Sequence, residues 1–190
     1  RGLGDVYKRQ EDSGVEVNGS DGTANSAQLA PGQAESYEKT ENEDGTVTYT
    51  FKLRDGIKWS DGKDVTAGDF EYAWKRLVDP ATAADYSYML DCVVNANEII
   101  AGEKDASELA VKAVDDKTFE VTLVNDLPYF EELCAFPAMM PVRQDVIEKA
   151  GDNWTFDVST YISNGAYKMK EWTHNSQIVV EKNENYYDYE

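Results

Sequence analysis

From Val47 to Leu53 apolar and polar side chains alternate without a break: Val47, Tyr49, Phe51 and Leu53 against Thr48, Thr50 and Lys52. A period of two puts the first set on one face of a strand and turns the second toward water. Asp55-Gly56 then turns the chain, Ile57 and Trp59 reach back toward apolar surface, and Asp61-Gly62 turns it again. Past this second turn the period changes. Phe70, Ala73, Trp74 and Leu77 recur at i, i+3, i+4 and i+7, the spacing of a helix with one buried stripe. Thr66 and Asp69 have the spacing of a capping box, with an acid in place of the usual Glu or Gln. The unit reads as strand, turn, strand and capped helix, with Trp59 and Trp74 as core anchors.

Asp79-Pro80 stops that helix, and residues 81–101, with Tyr86, Tyr88, Met89 and Leu90, read as two short helices, the second ending at Gly102. Residues 111–114 and 119–123 form a hairpin about Asp115-Asp116-Lys117. Residues 127–135 read as a short helix with Pro128 in its first turn, after which Phe136-Pro137 and Pro141 force an extended crossing segment. A helix over 143–150 closes at Gly151, and 165–172 pairs with 177–182 about a turn at 173–176. Residues 11–28, rich in Gly, Ser, Asn and Asp, read as loop with at most short strands.

The runs Phe51-x-Leu53-Arg54, Lys58-Trp59-Ser60-Asp61-Gly62, Val65-Thr66-Ala67, Asp69-Phe70 and Trp74-Lys75-Arg76-Leu77 resemble the signature region of the family 5 solute-binding proteins. These are the oligopeptide-binding receptors of bacterial ABC importers. Asp79-Pro80, Ile99-Ile100-Ala101-Gly102, Thr118-Phe119-Glu120-Val121-Thr122-Leu123, Pro128-Tyr129-Phe130, Asn164-Gly165-Ala166-Tyr167-Lys168 and Tyr186-Tyr187-Asp188 follow in the same register, so the resemblance runs from about residue 29 to 190. It implies an α+β fold: the small mixed lobe of a periplasmic-binding-protein-like class II receptor over 11–141, then an incomplete return segment of the larger lobe over 142–190. Residues 1–10 have no counterpart in the family, resemble translated adapter sequence, and are expected to be a non-native tail. The resemblance places any export information upstream.

The same resemblance implies a non-catalytic extracytoplasmic receptor, periplasmic or lipid-anchored at the cell surface. It would take up oligopeptides between two lobes, as if adding a strand, and deliver them to ABC transporter permease subunits. A monomer is expected. Tyr86 matches a family tyrosine that lines the cleft, and Phe136 matches, more weakly, a position in a pocket wall. The competing readings are side chains packed inside the lobe for both residues. For the whole chain they are the same scaffold holding another solute (a dipeptide, nickel, haem or a sugar) or a structural, adhesive module without transport.

Composition narrows the classes. With 37 acidic against 18 basic residues the formal charge is -19, which repels nucleic-acid backbones and anionic membrane surfaces alike. No run approaches the ~20 apolar residues of a membrane span. His174 is the single histidine and lies in a polar turn, so neither a hydrolytic triad nor a two-histidine metal site has support. The acidic turn at 41–45 fails as a calcium loop, because an EF-hand with its glycine at Gly45 would run from Thr40 to Phe51 and misplace two ligands. No cofactor motif is present. Cys92 and Cys134 are too few for a disulfide framework; they either pair with each other or are two unpaired buried thiols.

Overall fold

The computed structural model describes residues 7–10 and 28–188. A two-stranded antiparallel ribbon joins β1 (Tyr7–Gln10) to β2 (Gln28–Pro31). Leu3 and Val6, on which the reading of a non-native tail partly rests, lie outside the described residues, as does most of the expected loop at 11–28.

The core is built on a four-stranded antiparallel sheet in the order β3-β4-β6-β5. Its strands are β3 (Ala34–Glu41), β4 (Val47–Leu53), β5 (Val111–Asp115) and β6 (Thr118–Leu123). β4 is an inner strand, and its unbroken alternation buries one face: Val47, Tyr49, Phe51 and Leu53 are at most 3% exposed. Across the β4–β6 register Val47 faces Leu123, Tyr49 faces Val121 and Phe51 faces Phe119, so the apolar sets of both strands share one face.

The helix α1 (Ala67–Val78) covers that face with Phe70, Ala73, Trp74 and Val78. Trp74 meets Phe119 edge-on, with ring centroids 5.3 Å apart, and donates from Nε1 to the Met139 carbonyl at 2.9 Å. The indole thereby buries its ring and still satisfies its one donor. Trp59 is as deeply buried and donates to the Asp69 carboxylate at 3.1 Å. The same carboxylate oxygen accepts the Thr66 backbone N–H at 2.9 Å, half of the expected capping box.

Between α1 and β5 the chain departs from two helices. It forms a 3-10 turn at Pro80–Thr82, another at Ser87–Leu90, and then α2 (Ala96–Ile100). Ala83 (φ 51°) and Asn95 (φ 72°) take left-handed backbone, which interrupts any longer helix. After β6, α3 (Phe130–Cys134) begins later than the expected 127, because the Phe130 N–H first closes a turn onto the Leu127 carbonyl at 3.0 Å. A 3-10 turn at Pro137–Met139 interrupts the expected extended crossing.

The helix α4 (Gln144–Ala150) ends at Gly151, whose φ of 58° suits a residue without a side chain. The hairpin of β7 (Tyr167–Thr173) and β8 (Gln177–Lys182) closes the described chain. Cys134 is buried, Cys92 is half-buried, and both thiols are free. Burial pushes the Cys92 thiol up to about 11.

Candidate functional site

Tyr86 and Phe136 are fifty residues apart in sequence, and each is held by a local backbone bond beside a buried anchor. Tyr86 precedes the 3-10 turn at Ser87–Leu90; its carbonyl accepts the Met89 N–H at 3.0 Å, and Leu90 is fully buried. Phe136 follows α3, donating its N–H to the Leu133 carbonyl at 2.9 Å, and the next turn is pinned through the Met139 carbonyl held by Trp74. The two anchors bring the rings together, with centroids 5.4 Å apart and planes at 56°. Tyr88 joins them, its ring 6.1 Å from that of Tyr86.

Tyr86 is 50% exposed and Tyr88 57%, whereas Phe136 is half-buried. The three rings form an aromatic cluster with the two tyrosines facing solvent, and such a surface can stack on ligand side chains and offer a phenol to ligand main chain.

Beside this surface, starting at the residue after Phe136, lies a cavity of ≈ 260 Å³. Pro137, Ala138, Met140, Pro141 and Val142 form one side; Trp154, Thr155, Tyr161 and Ile162 form the other. The second side comes from the chain after α4, so the cavity sits where the crossing segment meets the return segment. Sequence reasoning missed it and Tyr88. The legible signal was the apolar run from Pro137 to Val142, which reads as an extended crossing and gives no hint of its partner.

The signature turn at 59–62 is bonded to the segment from Arg143 onward. Arg143, 7% exposed, donates to Asp61 at 2.9 Å and grips Asp145 with Nε and Nη2, both at 2.7 Å, while its guanidinium lies 5.8 Å from the Trp59 ring centre. Hydrogen bonds from Arg143, and then from Lys63, hold the Asp145 carboxyl well below the usual carboxylate range. The Ser60 N–H donates to the Ser163 carbonyl at 2.7 Å, and Asn185 Nδ2 donates to the Ser60 carbonyl at 3.3 Å. Asn164 Nδ2 donates to the buried Gln33 Oε1 at 2.8 Å. Trp59, Ser60 and Asp61 thus form a seam with the chain from Arg143 onward. Among the described residues no group of three or more His, Cys, Asp or Glu side chains is placed to hold a metal ion.

Residues 28–190 match the model of the bacterial extracellular solute-binding proteins, family 5, middle region. The chain belongs to this family. As a family 5 solute-binding protein it is 49% identical over 161 residues to the periplasmic oligopeptide-binding protein OppA of Salmonella typhimurium, covering 84% of this chain and 29% of that protein. It is 44% identical over 151 residues to the oligopeptide-binding protein OppA of Bacillus subtilis, covering 79% and 28%. The solved structure of Haemophilus influenzae OppA in complex with RPPGFSPFR superposes with a TM-score of 0.84 at 40% identity, over 98% of this chain and 33% of that one. This family 5 chain thus spans under a third of the length of the curated relatives it matches.

Proposed function

We propose that this chain supplies one wall of an oligopeptide-binding cleft in a non-catalytic extracytoplasmic receptor, which passes peptides to the permease subunits of an ABC importer. The observation that carries the reading is the pairing of the half-exposed Tyr86 ring with the half-buried Phe136 ring, set 5.4 Å apart by separate turns. The relatives support it through what they bind: the Salmonella typhimurium and Bacillus subtilis proteins are oligopeptide-binding, and the Haemophilus influenzae structure contains a nonapeptide. The periplasmic placement of the Salmonella relative supports an extracytoplasmic location. Among the described residues no helix is long and apolar enough to cross a membrane. In this reading residues 11–141 form the small lobe and 142–190 begin the return to the larger one.

Mechanistically, the aromatic faces pack against a peptide's side chains while the Tyr86 hydroxyl bonds to its main chain. Main-chain bonding lets one cleft accept many sequences. Closure over the peptide needs the lobes carried by the rest of a receptor.

The test is calorimetric titration of short peptides into two proteins: this chain, and a chimera in which residues 28–190 replace the equivalent stretch of the Salmonella typhimurium relative. Peptide heat from the chimera, reduced by Tyr86→Ala, is the expected result. A chimera that folds and binds no peptide, but does bind another small solute, would sink the reading.

A further inference from the structure

Between α4 and β7, Trp154, Phe156 and Val158 alternate with Thr155, Asp157 and Ser159, the spacing of a strand. The stretch pairs with no strand among the described residues. Asp157 folds it into turns instead: its carboxylate accepts the Ser159 N–H at 2.7 Å, and its carbonyl accepts those of Thr160 and Tyr161 at 3.1 and 3.0 Å. Trp154 donates its N–H to Gly151 and Phe156 to Asn153, so the backbone hydrogen bonds of 152–161 reach no farther than the end of α4. None of these residues is buried, whereas Ile147 before them and Ser163 and Asn164 after them are. A segment with local bonds and no buried residue opens at low free energy while the rest of a domain stays closed.

Side chains from two other elements reach across to it. From α1, Arg76 holds its guanidinium 5.8 Å from the Trp154 ring centre. From the turn after β7, His174 donates from Nε2 to the Phe156 carbonyl at 3.1 Å, and the neighbouring Trp172 ring stacks on Phe156 at 6.4 Å. Both ends are fixed. Gly151 caps α4 with a φ of 58°, and at the other end the Ser163 carbonyl accepts the Ser60 N–H at 2.7 Å.

Under the segment lies the cavity of ≈ 260 Å³, with Trp154, Thr155 and Tyr161 facing Pro137, Ala138, Met140, Pro141 and Val142 across it. Atoms that border a void lose the contacts that close packing would give them, so the space loosens the segment from below. No group in the lining is charged at neutral pH, and the volume exceeds the ~150 Å³ in which an apolar cavity admits benzene.

We propose that residues 152–161 are a lid, latched by Arg76 and His174, that gates the entry of a small uncharged apolar molecule to this cavity. The lid turns on Gly151, whose backbone has the widest freedom, and on the fixed step into Ser163. Opening needs neither a peptide nor a second lobe, so the lid stands or falls apart from the peptide-capture reading.

Native-state hydrogen exchange of the 190-residue chain tests the lid as a unit. The N–H groups of Trp154, Phe156, Thr160 and Tyr161 are all hydrogen-bonded. They should share one opening equilibrium and exchange at least about tenfold faster than those of α1 and β4. Four unrelated values, or protection equal to that of α1, overturn the lid.

Benzene tests the gate. It is titrated into the same chain while the line shape of the Trp154 indole N–H resonance, assigned with Trp154→Phe, is followed. A gate sets rates and leaves affinity alone. Arg76→Met combined with His174→Ala should speed benzene entry and exit alike by about tenfold, the factor that one cation–π contact and one exposed hydrogen bond supply, with Kd changed less than about twofold. Should the double variant fail to fold, His174→Ala, in an exposed turn, should by itself speed both by about threefold. No saturable benzene shift, unchanged rates, or weakened affinity without faster exchange overturns the proposal.

Discussion

Asp69 directs one oxygen at three donors: the Trp59 indole, the Thr66 N–H and, at 3.4 Å, the Thr66 hydroxyl. Burial nevertheless lifts its carboxyl above the ordinary value of 3.8, outweighing those hydrogen bonds. With its pKa raised, the folded chain holds the proton more tightly than the unfolded chain does. Stability is therefore greatest below the unfolded value and falls as pH rises through the folded one. Asp69→Asn keeps an acceptor oxygen for the same donors and removes the titration. The stability of the variant relative to the parent should rise as pH increases above about 4, read from urea midpoints across the series. At Tyr86 the expectation concerns binding: Tyr86→Ala in the chimera should weaken peptide affinity about 5- to 30-fold with an unchanged thermal midpoint, since a stacked ring and one hydrogen bond are worth about 1–2 kcal/mol. Asp69 was legible from its spacing to Thr66. No periodicity announced Tyr86; only its match to a family position singled it out.

The elements with a strict period were read correctly because burial of one face admits a single register: β4, α1 and the β5–β6 hairpin kept their apolar faces as spaced. Those without one were misplaced. The helical stretch after α1 was cut by left-handed residues, and α3 lost its first turn to a tighter closure at Leu127. Arg143, expected as the first residue of a helix, instead stands before α4 and clasps Asp61 and Asp145. A clasp between residues eighty apart leaves no trace in local pattern. Arg143→Ala should cost about 2 kcal/mol in urea unfolding, since it strips charge-assisted bonds from two partners that solvent partly screens. Asp145, held low by Arg143, stabilises the fold above its unfolded value and loses that contribution as pH falls below about 4. Asp145→Asn should accordingly flatten the acid limb of the stability profile. Trp74→Ala removes the ring that fastens α1 to β6 and the crossing segment, and about 3–5 kcal/mol of destabilisation is expected, enough to unfold many domains of this size.

For the whole molecule, two properties oppose each other. The formal charge of -19 keeps copies apart, while the β7–β8 hairpin presents Tyr167, Ile178 and Val180, each more than half exposed, on a face where Trp172 lies opposite Ile178 and Met169 opposite Val180. At low ionic strength repulsion should prevail and the chain sediment as a monomer. Near 1 M salt, where the screening length shrinks to about 3 Å, association should appear in sedimentation velocity, and Ile178→Lys with Val180→Lys should suppress it. The seam at Ser60 adds a matter of timing. Its partners lie 103 and 125 residues downstream, and Gln33 waits 131 residues for Asn164. A chain leaving the ribosome can complete its sheet once β6 has emerged, whereas the Ser60 turn stays open until Ser163 and Asn185 follow. For about sixty residues of synthesis the nascent chain carries a finished sheet and an unfastened signature turn, the interval in which a chaperone or a protease would find it most approachable.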